Sequence, residues 1–404
     1  MKKHSFIFFL LIITLLSGCT KEDGPDSTGF SIESNVTSAI DVNYDQDRDS
    51  DVITLENADS YNYKLPVIFH VIYNDNMDNK NTLTTQRLST ILGRVNELWK
   101  GGIYNKESVD MNVEFVMATH NEKGQKLKEP GVEYIKYTED SISYKKFMAD
   151  NHTDLLWDPN NYINVFLFSF KNDTTSGTVL GASNLPFTNK EQTLDGLTST
   201  KYNSLTKTNL KSTHCVTINS NYSSSYNDSQ RFTSNKELER SINSSVVDIS
   251  ATLAHELGHY LGLLHAFTEN EKGETMDDCF NSDYCDDTKD YNKKEYEHEE
   301  GVYLDSIRRF REFVGGKMVI TLNDYYNLVK RKSCDGAIFD AHNLMDYSFN
   351  NSDVFTEDQK KRVRHTLYYS PLIPGPKINN VNKAKGTRAA DAQGVLELPV
   401  NIRE

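Results

Sequence analysis

The chain has 404 residues, 37% of them hydrophobic, and a formal net charge of −14 from 44 basic and 58 acidic side chains. That length and apolar content suffice to bury a large core, in one big domain or two smaller ones. The negative balance, with no basic cluster to offset it, excludes a nucleic-acid-binding surface, because phosphates would be repelled.

In chain order, Lys2 and Lys3 precede a mostly apolar run over 6–16. Eleven residues are too few to span a bilayer, so residues 1–18 read as an export signal peptide. The sequence Leu16-Ser17-Gly18-Cys19 resembles the lipobox of bacterial lipoproteins. That resemblance implies lipidation at Cys19 and an extracytoplasmic, outer-membrane or cell-surface lipoprotein of a Gram-negative bacterium. Lys21, Glu22 and Asp23 resemble the surface-export tags of Bacteroidota lipoproteins, and equally suit a solvated linker. Residues 19–62, rich in Asp, Ser and Asn without periodicity, read as a tether or a short prosegment.

The folded domain is expected over 63–370. Leu65 to Tyr73 is a nearly continuous apolar strand pattern, and 84–99 carries Leu88, Ile91, Leu92, Val95 and Leu98 at helical intervals. Val113, Phe115 and Met117 alternate as in a half-buried strand, 162–168 is a further apolar strand, and 214–219 a short one. Residues 189–212 read as loop and 220–245 as a surface insertion. Residues 371–404 read as a loosely held C-terminal tail. Four cysteines follow Cys19: Cys215, Cys279, Cys285 and Cys334. They permit two disulfides in three connectivities, or free buried thiols.

The segment His255 to His265 reads H-E-L-G-H-Y-L-G-L-L-H. Residues four apart share a helix face, so His255 and His259 can bind one ion with Glu256 beside it. A continuous helix would carry His265 roughly 15 Å further along the axis, outside any Zn–N bond. The chain must turn, and Gly262 is where it can, since glycine takes the left-handed conformation at little cost. Three imidazoles leave one tetrahedral zinc position open, as catalytic sites require. Glu256 is then the general base toward a zinc-activated water. Val246, Ile249, Leu253, Leu257, Leu261 and Leu264 mark the buried side of this helix, and Ser245 with Asp248 fits a capping pattern at its start.

About eighty residues later comes Asn343-Leu344-Met345-Asp346-Tyr347-Ser348. Together the two motifs resemble the metzincin clan of zinc peptidases, and within it the pappalysin family. The resemblance covers most of 64–370. It implies an α/β fold (in the α+β sense) with a twisted mixed sheet, a metal-binding helix, and a smaller lower subdomain containing a Met-turn. It implies that Met345 is an apolar floor under the zinc and that Tyr347 contacts the metal or the tetrahedral intermediate. It makes 180–187 the candidate edge strand over the cleft, although Gly181 and Pro186 equally suit a loop. It gives 355–367 as the closing helix and pairs Cys279 with Cys334. It also makes Asp283, Asp287 and Thr288 a candidate calcium site, against the reading of a solvated acidic loop.

Three functions share these residues. One is a zinc endopeptidase acting on extracytoplasmic proteins or peptides. Another is a non-catalytic surface lipoprotein that keeps zinc for stability and binds a partner. The third is a zinc hydrolase of a non-peptide amide. Glu256 favours hydrolysis, since a binding module has no chemical need for a carboxylate beside the water.

Overall fold

The computed structural model describes residues 29–40, 51–171, 178–223, 248–310, 313–314, 317–347, 349–378 and 392–404. The expectations for residues 1–28, including the signal peptide and Cys19, lie outside the described residues. Among the described residues, no helix is long and apolar enough to cross a membrane.

The organising element is an eight-stranded mixed sheet. Its strands are β1 (Ser31–Ile32), β2 (Tyr63–Tyr73), β3 (Val113–Met117), β4 (Val132–Lys136), β5 (Ile163–Phe168), β6 (Gly181–Asn184), β7 (Val216–Asn219) and β8 (Ile402–Arg403). The order across the sheet is β1-β4-β2-β5-β7-β6-β8, with β3 also paired to β2. Strand β2 is long enough to take β3 along 63–67 and β4 along 69–73, both parallel, while β5 pairs parallel with its other side. Strand β7 continues the parallel set, and β6 then runs antiparallel beside it.

Strand β2 is apolar at nearly every position because both sheet faces are covered. Leu65, Val67, Phe69 and Val71 point into one core, which they share with helix α1 (Thr85–Lys100) and helix α2 (Ile249–Tyr260). Ile72 on the opposite parity joins Phe147, Phe166 and Phe168 in a second core on the other face. In α1, Thr84 caps the first turn by accepting from the Arg87 amide, and Leu88, Ile91, Leu92, Val95, Leu98 and Trp99 form the buried stripe. Burying such a stripe supplies most of what holds a helix in place.

Helix α2 starts differently from expectation. Asp248 is itself the cap, its carboxylate accepting from the amides of Ser250 and Ala251. A short aspartate side chain satisfies these first-turn donors directly, whereas Ser245 and Val246 lie outside the described residues. After Gly262 a smaller part of the chain contains α3 (Lys293–Phe310), α4 (Leu322–Leu328) and the turn around Met345. The closing helix, α5 (Glu357–Tyr369), begins with a reciprocal cap between Thr356 and Gln359.

Two segments expected to hang loosely are packed where they are described. Ile53 and Ala58 are buried in the first core, the Arg364 guanidinium donates to the Ala58 carbonyl, and β1 extends the sheet through β4. At the other end, Leu372 and Ile373 are fully buried and β8 pairs with β6. Apolar residues scattered through a polar segment give no periodicity, yet each fills a gap in a surface built elsewhere in the chain.

Cys279 and Cys334 form a disulfide, and Cys215 and Cys285 are free and buried. The bridge closes a sequence separation of 55 residues. Chain entropy alone assigns such a loop about 4 kcal/mol. Replacing both cysteines by serine is expected to lower stability by about 3–4 kcal/mol in guanidinium unfolding, with the free thiols unchanged in number.

Candidate metal centre

Helix α2 presents His255, Glu256 and His259, and the chain turns immediately beyond Tyr260. Gly262 has φ +98°, the left-handed conformation expected of the turn. The turn is held from behind: the Arg362 guanidinium of α5 donates to the Gly262 carbonyl at 3.2 Å and to the Asp195 carbonyl at 2.9 Å. His265 is thereby returned to the helix, its Nε2 lying 3.1 Å from Nε2 of His259. One ligand atom from each of His255, His259 and His265 falls within 4.8 Å of the others, and among the described residues this is the one such group of His, Cys, Asp or Glu.

Each imidazole is oriented through its other nitrogen. His255 Nδ1 is 2.7 Å from the Leu344 carbonyl, His259 Nδ1 is 2.9 Å from the Leu263 carbonyl, and His265 Nδ1 is 2.5 Å from Glu269 Oε1. These acceptors draw the Nδ1 protons and leave the Nε2 lone pairs facing one another. Burial holds all three imidazoles toward neutrality, His255 down to about 4. Neutral imidazole is the form that ligates a metal. Nε2 of His255 is buried with no hydrogen-bond partner, which is costly unless an ion takes its lone pair. The donor set therefore fits a borderline metal such as zinc.

Glu256 is almost wholly buried, and its Oε2 has no hydrogen-bond partner. Burial first, and then the Glu404 charge, push its carboxyl well above the usual range. Strand β6 crosses directly over it: a Cβ added at Gly181 would lie 2.7 Å from Glu256 Cγ. Within the expected 180–187 a strand forms over 181–184, flanked by β7 on one side and β8 on the other rather than lying at the sheet edge, and glycine is what lets it approach the carboxylate.

Met345 is fully buried beneath the helix, where a Cβ on Gly258 would come within 2.5 Å of its Sδ. Its carbonyl accepts from the Ala266 amide at 3.0 Å, joining the turn to the chain segment leaving the third histidine. The Tyr347 ring lies 4.4 Å from the His265 ring and 5.5 Å from that of His255. Lys293 Nζ sits 3.8 Å above Tyr347, a cation–π contact that fixes the ring from its far side.

Residue periodicity gave no hint of the support beneath this turn. Buried Asp346 accepts from the Tyr291 hydroxyl at 2.5 Å and lies 3.6 Å from Arg331 Nε. Arg331 also donates to the carbonyls of Tyr347 and Phe349. Glu269 was likewise missed, because its only sequence signal is an acid four positions after a ligand. In the acidic loop, Thr288 Oγ1 donates to both oxygens of buried Asp283 at 2.9 and 3.2 Å. Asp287 instead accepts from the Asp358 amide at the start of α5. Asp283 and Thr288 are brought together; Asp287 is turned toward the helix.

A mixed α/β domain with three convergent imidazoles on one helix and its following turn, and a carboxylate between the first two, is a metal-binding fold of hydrolytic type. Residues 213–368 match the model of the peptidase M43 family, described as pregnancy-associated plasma protein-A, and this stretch contains all three histidines, Glu256, Met345 and Tyr347. No curated protein sequence matches the chain. Among solved structures the chain is similar to Tannerella forsythia mature mirolysin in complex with a cleaved peptide, at 17% identity over 74% of this chain and 89% of that one, with a TM-score of 0.43. Tannerella forsythia promirolysin, as a point mutant, is similar at 17% identity over 74% and 79%, with a TM-score of 0.43. Mirolysin in complex with compound 9 gives 16% identity over 74% and 90%, with a TM-score of 0.42.

Gly258→Ala tests the floor of the site. Overpacking against Met345 costs about 1–3 kcal/mol, whereas alanine in a helix returns at most about 1 kcal/mol over glycine. A net loss of thermal stability is expected, accompanied by weaker zinc retention in a chelator competition; Gly93→Ala on α1, where an added Cβ meets nothing within 4 Å, is expected to be neutral or stabilising.

Proposed function

We propose that the chain is a zinc-dependent endopeptidase that hydrolyses peptide bonds of extracytoplasmic proteins or peptides. The reading rests on one observation: three Nε2 atoms converge in a buried pocket beside the unpartnered Oε2 of Glu256. The peptidase family match over 213–368 supports it. His255, His259 and His265 would hold zinc, which when bound polarises a substrate carbonyl and acidifies water.

The chain's own groups do the rest. Glu256 accepts a proton from the attacking water and returns it to the departing amine nitrogen. Its burial makes the carboxylate a stronger base than one in water. Tyr347, its ring edge-on to His265 and tilted against His255, is assigned as hydrogen-bond donor to the oxyanion that develops on the substrate. Strand β6 offers backbone groups on which an extended peptide can lie, which selects peptides over compact amides.

Glu256→Gln is expected to keep zinc, by elemental analysis, and to lower casein and peptide hydrolysis by on the order of 10²–10⁴. A chelator should abolish wild-type hydrolysis and zinc should restore it. Undiminished hydrolysis by Glu256→Gln would overturn the assignment of the base.

We further propose that Cys19 is lipidated and that the protein is anchored at an outer-membrane or cell surface, on the strength of the Leu16–Cys19 sequence. Metabolic labelling with a fatty acid is expected to mark the wild type and not Cys19→Ala; equal labelling would refute the anchor.

A further inference from the structure

The open side of β6 is already filled, by the chain itself. Strand β8 pairs antiparallel with it, Ile402 opposite Asn184 and Arg403 opposite Ser183, and the Leu185 amide donates to the Asn401 carbonyl at 2.9 Å. This segment runs toward the histidines and puts the backbone oxygen of Glu404 3.0 Å from His265 Nε2. That atom is a carboxylate oxygen of the last residue, and it stands in for the scissile carbonyl oxygen, which must lie there to be polarised by an ion held by the three imidazoles. Residues 401–404 therefore occupy the cleft as the amino-side half of an extended substrate would.

The side chains are accommodated as well as the backbone. Arg403 is almost fully buried, its Nη2 donating to the Glu271 carbonyl at 2.9 Å and its Nε lying 3.9 Å from Oε2 of Glu269, the carboxylate that orients His265. Its guanidinium lies against Gly273, where an added Cβ would come within 2.7 Å of Nη1. Glu404 is held at its side chain by the Tyr144 hydroxyl and by Lys145 Nζ, each at 2.6 Å from Oε1. Further back, the Leu396 amide donates to the Asn209 carbonyl, Asn209 Nδ2 donates to the Gly394 carbonyl at 2.8 Å, and Lys211 pairs with Glu397.

We propose that residues 392–404 are a built-in occupant of the peptide cleft, anchored by Arg403, and that peptide substrates gain access only when this strap is displaced or cut away. The pocket of Glu269, the Glu271 carbonyl and Gly273 is accordingly a subsite for a guanidinium one residue before the carboxyl that faces the histidines. The inference rests on the peptidase reading for its consequence, but the occupancy itself is measurable without catalysis.

The test uses the zinc-loaded full chain carrying Glu256→Ala, with a labelled peptide of sequence LELPVNIRE, residues 396–404, as the probe. Two strap-releasing variants are compared with it: Arg403→Glu, which sets a carboxylate against Glu269, and Lys145→Glu, which repels Glu404 from outside the strap. Self-occupancy lowers apparent affinity by the fraction of open clefts. Both variants are expected to bind the probe at least about tenfold more tightly, in fluorescence anisotropy, and to exchange the amides of 183–185 faster in deuterium. On the Glu256 background, both should hydrolyse casein faster than the wild type. If probe affinity and exchange are unchanged in both variants, the strap is overturned even where Glu256-dependent hydrolysis is present. If both change but no version hydrolyses peptides, the strap stands and the peptidase reading falls. Should Arg403→Glu fail to fold, Lys145→Glu alone decides.

Discussion

Everything at the centre depends on three imidazole rings being held by their outward nitrogens. Nδ1 of His255, His259 and His265 meets the Leu344 carbonyl, the Leu263 carbonyl and Glu269 respectively. An imidazole left to rotate would present either nitrogen and bind a metal weakly; one whose far N–H is committed presents a single lone pair at a fixed angle. Each acceptor is placed by a different device. Leu263 follows the left-handed Gly262, Glu269 lies just beyond the third ligand, and Leu344 belongs to a turn secured by Asp346 and Arg331. The motif names the ligands, and the rest of the fold aims them.

The sheet explains why the acceptors can be so exact in position. Strand β2 is the seam of two cores, with α1 and α2 on one face and the aromatic group of Phe147, Phe166 and Phe168 on the other. A helix packed on such a surface has little freedom to slide, because close-packed interiors resist small displacements. Strand β6 completes the arrangement from above, close enough to Glu256 that only a glycine fits at position 181. The carboxylate is thus confined between a helix it belongs to and a strand it does not.

Much of this was legible in the sequence, and for identifiable reasons. Long apolar runs such as 65–73 and strict helical spacing such as Leu88 to Leu98 report burial directly, so β2, α1 and β5 were read nearly to their ends. The need for a turn before His265 followed from helix geometry, and Gly262 supplies it. The Cys279–Cys334 bridge and the positions of Met345 and Tyr347 came through family resemblance rather than from any pattern in the residues. What stayed hidden was support that acts across long sequence separations: Arg331 under the Met-turn, Arg362 behind Gly262, Glu269 behind His265. A buried arginine or glutamate reads like a surface one until its partner is known. The segments near 53–58 and 392–404 were hidden for a related reason, since a few apolar residues among polar ones fill gaps that other parts of the chain create.

The contact between His255 and Leu344 spans 89 residues of sequence. Closing a loop of that size costs about 4 kcal/mol in chain entropy, and nothing local to the helix meets that cost. A short peptide containing only the helix and its turn would carry all three ligands yet leave the first ring unsteered. Uptake of the ion is therefore a readout of completed tertiary structure, and a protein loosened at the Met-turn, far along the chain from the ligands but touching them in space, would release its metal before its helices melted.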